Sequence, residues 1–436
     1  MSHKNSDIVI AGGGVIGMAV AYFLSRETDA SITVIDQRRP GTASWASAGG
    51  LWPIGESVGL GCGVIFFKTL SKRRRENPDE PIVLERPHQL PDYFLDFSLK
   101  SNAMFPDLWQ ELRQDGGVDF KLEKTGLKYL LFDEDDINYA KQIADSIPHL
   151  SAQLVWHSAD DLRHSEPNAS PKAIGALEFL RDDQVNPFLL TESYREGARR
   201  NGARIIDGTA VTGVGMNGSR VVSVTTDRGE THGCDLLINA GGAWAAELGR
   251  MVGLNIPVVP VKGQIVLSER LPKILKGCLS TSDCYMAQKD NGEILIGSTT
   301  EHVGFNVDGT LDEIRGLVTG AVKAIPVLRN LHIKRTWAGL RPGTPDEIPI
   351  LGAVPGLDGY LNACGHFRTG IVASAITGDI LSKLVLGRPL PVDLTPFLLE
   401  RFAGKNIDAL IATMTGGHVD HGAAHAPTES MARQAA

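Results

Sequence analysis

The chain has 436 residues, of which 42% are hydrophobic and 22% charged, and a net charge of -8. That length suits two domains of roughly 100–200 residues each, and the acidic balance argues against a general nucleic-acid binder, which carries a basic surplus. The five cysteines, Cys62, Cys234, Cys278, Cys284 and Cys364, are scattered and odd in number, so they make neither a disulfide framework nor a zinc or iron–sulfur ligand run, and they point to a reduced, cytoplasmic setting.

In chain order, Asp7 to Ala11 is a short β-branched run suited to a buried parallel strand. Gly12-Gly-Gly-Val-Ile-Gly17 follows as a turn. Val15 to Ser25 then carries Ile16, Ala19, Val20, Phe23 and Leu24 on one helical face. The same glycines argue against reading Ile8 to Val20 as a signal peptide. No later stretch reaches the roughly 18 apolar residues of a spanning helix, and peripheral contact with the cytoplasmic membrane stays open. Ser31 to Ile35 is a second strand, ending at Asp36 and Gln37.

Residues 39–63 are rich in Gly, Ser and Ala, which suggests loops and a helix start beside a ligand. A charged, proline-bearing surface excursion covers 71–92. Helices are expected over Asn102–Leu112, Asp136–Ile147, Pro187–Arg200, 311–325 and Thr369–Leu386. Strands are expected over Leu127–Phe132, near Ile205, over Val221–Thr226 and over Asp235–Asn239, the last ending in Ala240-Gly-Gly242. Several strand-like runs fill 256–300. After Phe402 the pattern fades, and a mobile tail is expected over 403–436.

The strongest local signal is Gly12-x-Gly14-x-x-Gly17. Gly12 permits the tight turn, Gly14 lets a pyrophosphate approach the backbone, and Gly17 lets the helix pack on the strand. The free N–H groups of that helix face the diphosphate, and Asp36 is placed to accept a ribose hydroxyl. The motif does not choose between NAD and FAD. Ser44-Trp-Ala-Ser-Ala-Gly-Gly50 and Gly365-His-Phe-Arg-Thr-Gly370 each read singly as mere loops. Together, and in this order, they point to FAD. The second of them precedes a helix whose positive end would face the flavin ring edge.

At this point the chain resembles the D-amino-acid oxidase type of FAD enzymes, in the glycine oxidase and sarcosine oxidase branch. The segments that carry the likeness are Ile10–Gly17, Ser47–Gly50, Ile238–Trp244, Trp337–Asp346 and Gly365–Gly370. The resemblance implies an α/β fold with a Rossmann-like FAD-binding domain and a sheet-based α+β substrate domain. The first would be discontinuous, from 1–90, 150–255 and 335–400; the second would take 91–149 and 256–334.

For the site, the resemblance implies that Arg341 binds a substrate carboxylate through its guanidinium fork. Without it, Arg341 reads as a surface arginine in a proline-rich loop. Tyr285 would reach the same carboxylate, Arg368 would be a second active-site arginine, and His366 would sit close to the flavin or serve as a structural histidine. Cofactor contacts are expected from Gly12, Gly14, Val15, Ile16 and Gly17, then from Asp36 and Gln37. Ser44, Ser47, Ala48, Gly49 and Gly50 follow, with Val211 at the adenine and with Ala240 and Gly241. The last group is Gly365, His366, Phe367, Arg368, Thr369, Gly370 and Ile371. No general base is assigned, because none is required if the amine binds neutral.

Ala48–Gly63 and Thr281–Gly297 resemble more closely the flavin subunits of heteromeric, cyanide-forming glycine dehydrogenases. That likeness implies glycine as substrate and companion subunits, one bearing a [2Fe–2S] centre, that carry electrons to a membrane acceptor. Alternatives are an opine, D-amino-acid or hydroxyproline dehydrogenase subunit, an assembly subunit that holds FAD without catalysis, and an NAD-dependent enzyme. Lys72-Arg-Arg-Arg75 reads as a solvated helix end balanced by Glu76, Asp79 and Glu80, or as a contact for anionic lipid or an acidic partner. A covalent flavin link at Cys62 or Cys364 and a metal at His418, His421 and His425 are weaker readings than a noncovalent cofactor and a plain tail.

Overall fold

The computed structural model describes residues 4–5, 7–60, 75–77 and 89–414. Among the described residues the larger sheet has ten strands. Its parallel centre runs in the order Leu357–Cys364, Leu236–Asn239, Ile8–Ala11, Ile32–Asp36 and Arg204–Asp207. Ile8–Ala11 is buried along its whole length, as a β-branched strand covered on both faces must be. Ile8 and Ile10 enter a core with Met18 and Tyr22 of the helix Val15–Ser25, Leu190 and Tyr194 of Pro187–Arg200, and Ile376 and Ile380 of Ser374–Val385. Val9 and Ala11 enter the opposite core, with Val221, Val224, Leu237, Leu248 and Tyr360.

Two glycines bring the helices into contact. A Cβ on Gly197 would lie 2.6 Å from the Tyr22 ring, and one on Gly378 would lie 2.5 Å from the Phe23 ring. Asn186 starts the helix Pro187–Arg200: its side-chain oxygen accepts from the N–H groups of Phe188 and Leu189 at 3.2 Å each. Pro187 takes the first helical position, where its missing N–H costs nothing.

The second sheet has eight strands, in the order Ile333–Gly343, Val259–Arg270, Glu293–Gly297, Tyr285–Gln288, Cys278–Ser280, Leu127–Leu131, Gly175–Phe179 and Leu154–Ser158. Neighbours are antiparallel except where Cys278–Ser280 meets Leu127–Leu131. Tyr139 and Ile143 of the helix Glu134–Ser146 pack on one face, against Leu127, Tyr129, Leu177 and Phe179. Leu317 and Ala321 of Leu311–Ala324 pack on the other, against Leu130, Val266, Met286 and Ile296. A two-stranded ribbon, Gly50–Leu51 with Asp183–Gln184, stands beside them.

Several expected boundaries move. Leu154–Ser158 and Gly175–Phe179, expected with the dinucleotide domain, are the last two strands at one side of the eight-stranded sheet, with Leu154–Ser158 at its edge. Most of Ile333–Gly343 also belongs to that sheet, although 335 onward was expected in the FAD-binding unit. The helix Asp92–Gly116, expected with the substrate domain, buries Phe94, Phe97, Phe105 and Leu108 in the first core, beside the helices of the parallel sheet. An apolar helix face or strand reads the same whichever sheet it serves, so pairing far along the chain decides. The last long helix starts at Ser374 rather than Thr369, after a run of turns. Within the expected tail, Ile407–Met414 is helical, and its Ile407 and Leu410 pack near Ile256, Val258 and Phe402. Cys62, Lys72 to Arg74 and His418, His421 and His425 lie outside the described residues. Arg75 pairs with Asp135 at 2.6 Å.

Phe97 is fully buried, and its ring lies 4.8 Å from that of Phe397 and 5.7 Å from that of Phe94. Phe97→Ala is expected to lower stability by about 3–5 kcal/mol in denaturant unfolding, the cost of a large core cavity. A change below about 1 kcal/mol would place this helix outside the core.

Candidate active site

One cavity of about 270 Å³ runs between the two sheets. Its first end is the turn between Ile8–Ala11 and Val15–Ser25. Gly12 has φ of +113°, and a Cβ there would lie 2.7 Å from the Ala240 carbonyl carbon. A Cβ on Gly14 would lie 3.0 Å from Ser44 Oγ, and one on Gly17 would overlap the Gly12 carbonyl oxygen. Gly12 and Gly17 are therefore required by close backbone approaches, while a side chain at Gly14 would press on Ser44. Gly14 caps the helix without a side-chain cap, and no acid stands in the first turn. Ser44 Oγ accepts from the Val15 N–H at 2.8 Å. The cradle fits a diphosphate: open backbone N–H groups, a positive helix end and no side chain in the way.

Gly12, Gly14, Val15 and Ile16 line this end of the cavity, followed by Asp36 and Gln37 at the second strand's end. Val211, Ala240 and Gly241 line it from the neighbouring strands, and Ser44, Ser47, Ala48 and Gly50 from the segment after Asp36. Gly17, Gly49 and Thr369 lie behind the wall. Gly17 acts through helix–strand packing, Gly49 (φ +80°) packs on Val185 and Pro187, and the Thr369 hydroxyl donates to His366 O at 2.9 Å. Arg39 and Trp244, which sequence reasoning missed, also line this end. The Arg39 guanidinium lies 5.0 Å from the Trp244 ring and 3.3 Å from Glu247. The only signals for them were their positions just after Asp36 and Gly241-Gly242.

The other end is built from both sheets. Arg341 sits on Ile333–Gly343 opposite Val261. Its guanidinium lies against Gly263, where a Cβ would fall 2.6 Å from Cζ. It donates to Thr299 O at 3.1 Å and to Ser298 Oγ at 2.5 Å. Tyr285 opens the strand Tyr285–Gln288, and its ring meets Trp52 edge-on with centroids 5.2 Å apart. Burial pushes the Tyr285 hydroxyl up to about 12, against the pull of Arg341, so it remains a proton donor. Gly365 has φ of +75°, and the Phe367 N–H donates to Pro342 O at 3.0 Å, which ties the Gly365–Gly370 loop to Arg341's strand. His366, Phe367, Arg368, Gly370 and Ile371 of that stretch all line the cavity with Gly365.

His366 is 2% exposed, and its Nε2 lies 3.1 Å from Thr377 Oγ1. Burial pushes its pKa down to about 3, so the ring is neutral. Cys364 lines the wall with its thiol pushed up to about 12 by burial, a poor nucleophile for a covalent link. Arg368 is engaged by acids on two edges: Nε lies 3.0 Å from Glu56 Oε2, and a terminal nitrogen lies 2.9 Å from Glu347 Oε2. Glu56 is a wall residue that sequence reasoning missed. Burial pushes its carboxyl up, against Arg368 and then Arg341. Asp182, fully buried, accepts from the N–H groups of Ile54 and Gly55 at 3.0 and 2.7 Å and so holds the short helix that carries Glu56. Among the described residues, no group of three or more His, Cys, Asp or Glu could hold a metal ion, and no helix is long and apolar enough to cross a membrane.

Against known proteins, a family described as DAO, FAD dependent oxidoreductase, matches residues 7–384. Hydrogen cyanide synthase subunit HcnC of Pseudomonas protegens is 59% identical over 404 residues, covering 92% of this chain and 97% of that protein. HcnC of Pseudomonas aeruginosa is 58% identical over the same shares. The crystal structure of glycine oxidase from Geobacillus kaustophilus superposes with a TM-score of 0.80 at 27% identity, covering 92% of this chain and 100% of that one.

Two outcomes follow from this geometry. Gly17→Ala is expected to give protein that purifies without flavin colour, because the new methyl cannot coexist with the Gly12 carbonyl; full retention of flavin would contradict the cradle. The second concerns His366, which titrates at about 3 folded against 6.5 in its ordinary state. Between those values the unfolded chain binds the extra proton, so stability falls as pH drops through the window, by at most about 1.4 kcal/mol per pH unit. Denaturant unfolding of flavin-free His366→Asn is expected to show a flatter acid arm than the parent, and parallel curves would contradict the buried neutral ring.

Proposed function

Because the chain belongs to the DAO family of FAD-dependent oxidoreductases, we propose that it oxidises glycine at the carbon beside nitrogen, as the flavin subunit of a cyanide-forming complex. FAD is its cofactor, and its chemistry is that of an FAD-dependent oxidoreductase acting on amino-acid CH–NH2 groups. The observation that carries the substrate reading is the convergence of Arg341 and Tyr285 on the cavity that Gly12 to Gly17 opens into.

Bound FAD supplies the two-electron acceptor for the carbon–hydrogen bond next to nitrogen. The chain's own residues place the substrate. The Arg341 fork takes the carboxylate through parallel N–H bonds. Tyr285 keeps the proton on its Oη and donates it as a hydrogen bond to the same group. Gly263 leaves room for the guanidinium, and the Ser298 and Thr299 bonds hold it there. Trp52, Leu60 and the Tyr285 ring give the cavity apolar wall surface. Neutral His366 keeps charge away from the loop Gly365–Gly370. This fixing of orientation is the main contribution such a site makes to rate.

The overall change balances as glycine giving hydrogen cyanide, carbon dioxide, four electrons and four protons, in two successive two-electron oxidations with loss of carbon dioxide. The relatives at 58–59% identity are named as hydrogen cyanide synthase subunits, which supports companion subunits for this chain. One of them would carry a [2Fe–2S] centre and pass electrons to a membrane acceptor, which would bring the chain to the membrane surface through its complex.

The test is the assembled complex with glycine and an artificial electron acceptor, with cyanide measured. Cyanide release is expected, and turnover of bulkier secondary amines alone would overturn the reading. Arg341→Ala is expected to lower kcat/KM for glycine about 100-fold or more, the loss of a charge-paired bidentate contact. Unchanged turnover in that variant would make the subunit a scaffold.

A further inference from the structure

At the substrate end of the cavity Arg341, Arg368 and Glu56 line the wall, and Glu347 pairs with Arg368 without lining it. Arg368 lies in the wall with Glu56 at 3.0 Å on Nε and Glu347 at 2.9 Å on a terminal nitrogen. All three side chains are largely buried, with 13%, 18% and 24% of their surface exposed for Arg368, Glu56 and Glu347. Arg341 comes from the strand Ile333–Gly343, and its field reaches Glu56. With these four groups ionised the charges cancel. One substrate carboxylate on Arg341 then leaves the wall net negative. A second carboxylate on the substrate would meet the Glu56 charge in the same wall and would compete with Glu56 for Arg368. The other charged residue lining this end, Asp283, is also an acid, held by Lys323 at 3.1 Å.

We propose that Glu56 is a specificity-determining residue: it occupies Arg368 and makes the cavity accept amino acids with one carboxylate while turning away substrates with two. The inference rests on the reading of Arg341 as the carboxylate anchor. Glu56 is placed for this task by structure rather than by chance of rotamer, since Asp182 grips the two N–H groups just before it. Like charges forced together in a poorly solvated wall are a strong device against a wrong ligand.

The test uses the FAD-loaded protein and ligands that are not oxidised. Acetate and malonate are titrated while the visible spectrum of the bound flavin is followed, and the ratio of their dissociation constants is taken. In the parent protein acetate binds and malonate binds much more weakly. Glu56→Gln is expected to improve malonate relative to acetate by about tenfold or more, while Glu56→Asp keeps the parental ratio. Glu347→Gln, which alters the outer partner and leaves Glu56 in place, moves the ratio the same way by a smaller factor and serves if Glu56→Gln does not hold flavin. A ratio that stays within about twofold in Glu56→Gln, or a parent that binds malonate as well as acetate, overturns the role of Glu56 alone. A parent that binds neither acetate nor glycine overturns the Arg341 anchor, and this inference with it.

Discussion

Between the strand Ile8–Ala11 and the helix Val15–Ser25 the backbone passes so close to Ala240 that a Cβ on Gly12 would lie 2.7 Å from its carbonyl carbon. That approach sets where the helix begins and which way its first N–H groups point. The N–H groups and the helix dipole then mark the place for a diphosphate. The parallel strands on either side extend the same floor, so Asp36, Val211 and Gly241 come to one end of the cavity. Everything at the substrate end is measured from there, because a dinucleotide anchored at Gly12–Gly17 has a fixed reach.

The substrate end is joined to this anchor through backbone contacts rather than side chains. Phe367 N–H on Pro342 O fastens the Gly365–Gly370 loop to the strand of Arg341. Gly41 O accepts from the Leu340 N–H at 2.8 Å, one residue before Arg341. The guanidinium then lies on Gly263 of the next strand, held by Ser298 and Thr299. A site assembled on strands in this way is more rigid than one built on loops, and a rigid site is what positioning catalysis requires.

Much of this was legible in the residues. Gly12, Gly14 and Gly17 between a β-branched run and an apolar helix face suit a dinucleotide cradle and little else, and Asn186-Pro187 marks a helix start by capping chemistry alone. Arg341, Tyr285 and His366 were reachable only through resemblance, because nothing local distinguishes them from an ordinary strand arginine, strand tyrosine or core histidine. Arg368 reads, through the resemblance, as a second active-site arginine. Its pairing with Glu56 and Glu347 joins three separate stretches of chain, and no periodicity carries such information. The same applies to Leu154–Ser158, whose place at the edge of the eight-stranded sheet depends on Gly175–Phe179 beside it. The helix Asp92–Gly116 shows an apolar face that fits either core until Phe97 meets Phe397.

The account stands on a cofactor anchored at Gly12–Gly17 whose ring lies beside the Arg341 guanidinium. The most direct measurement is an experimental structure of the FAD-loaded protein with acetate bound. The diphosphate is expected against the N–H groups after Gly12, with the acetate carboxylate bridging Arg341 and Tyr285 over the flavin ring. Acetate seated elsewhere, or an Arg341 turned out of the cavity that holds the ring, would contradict it.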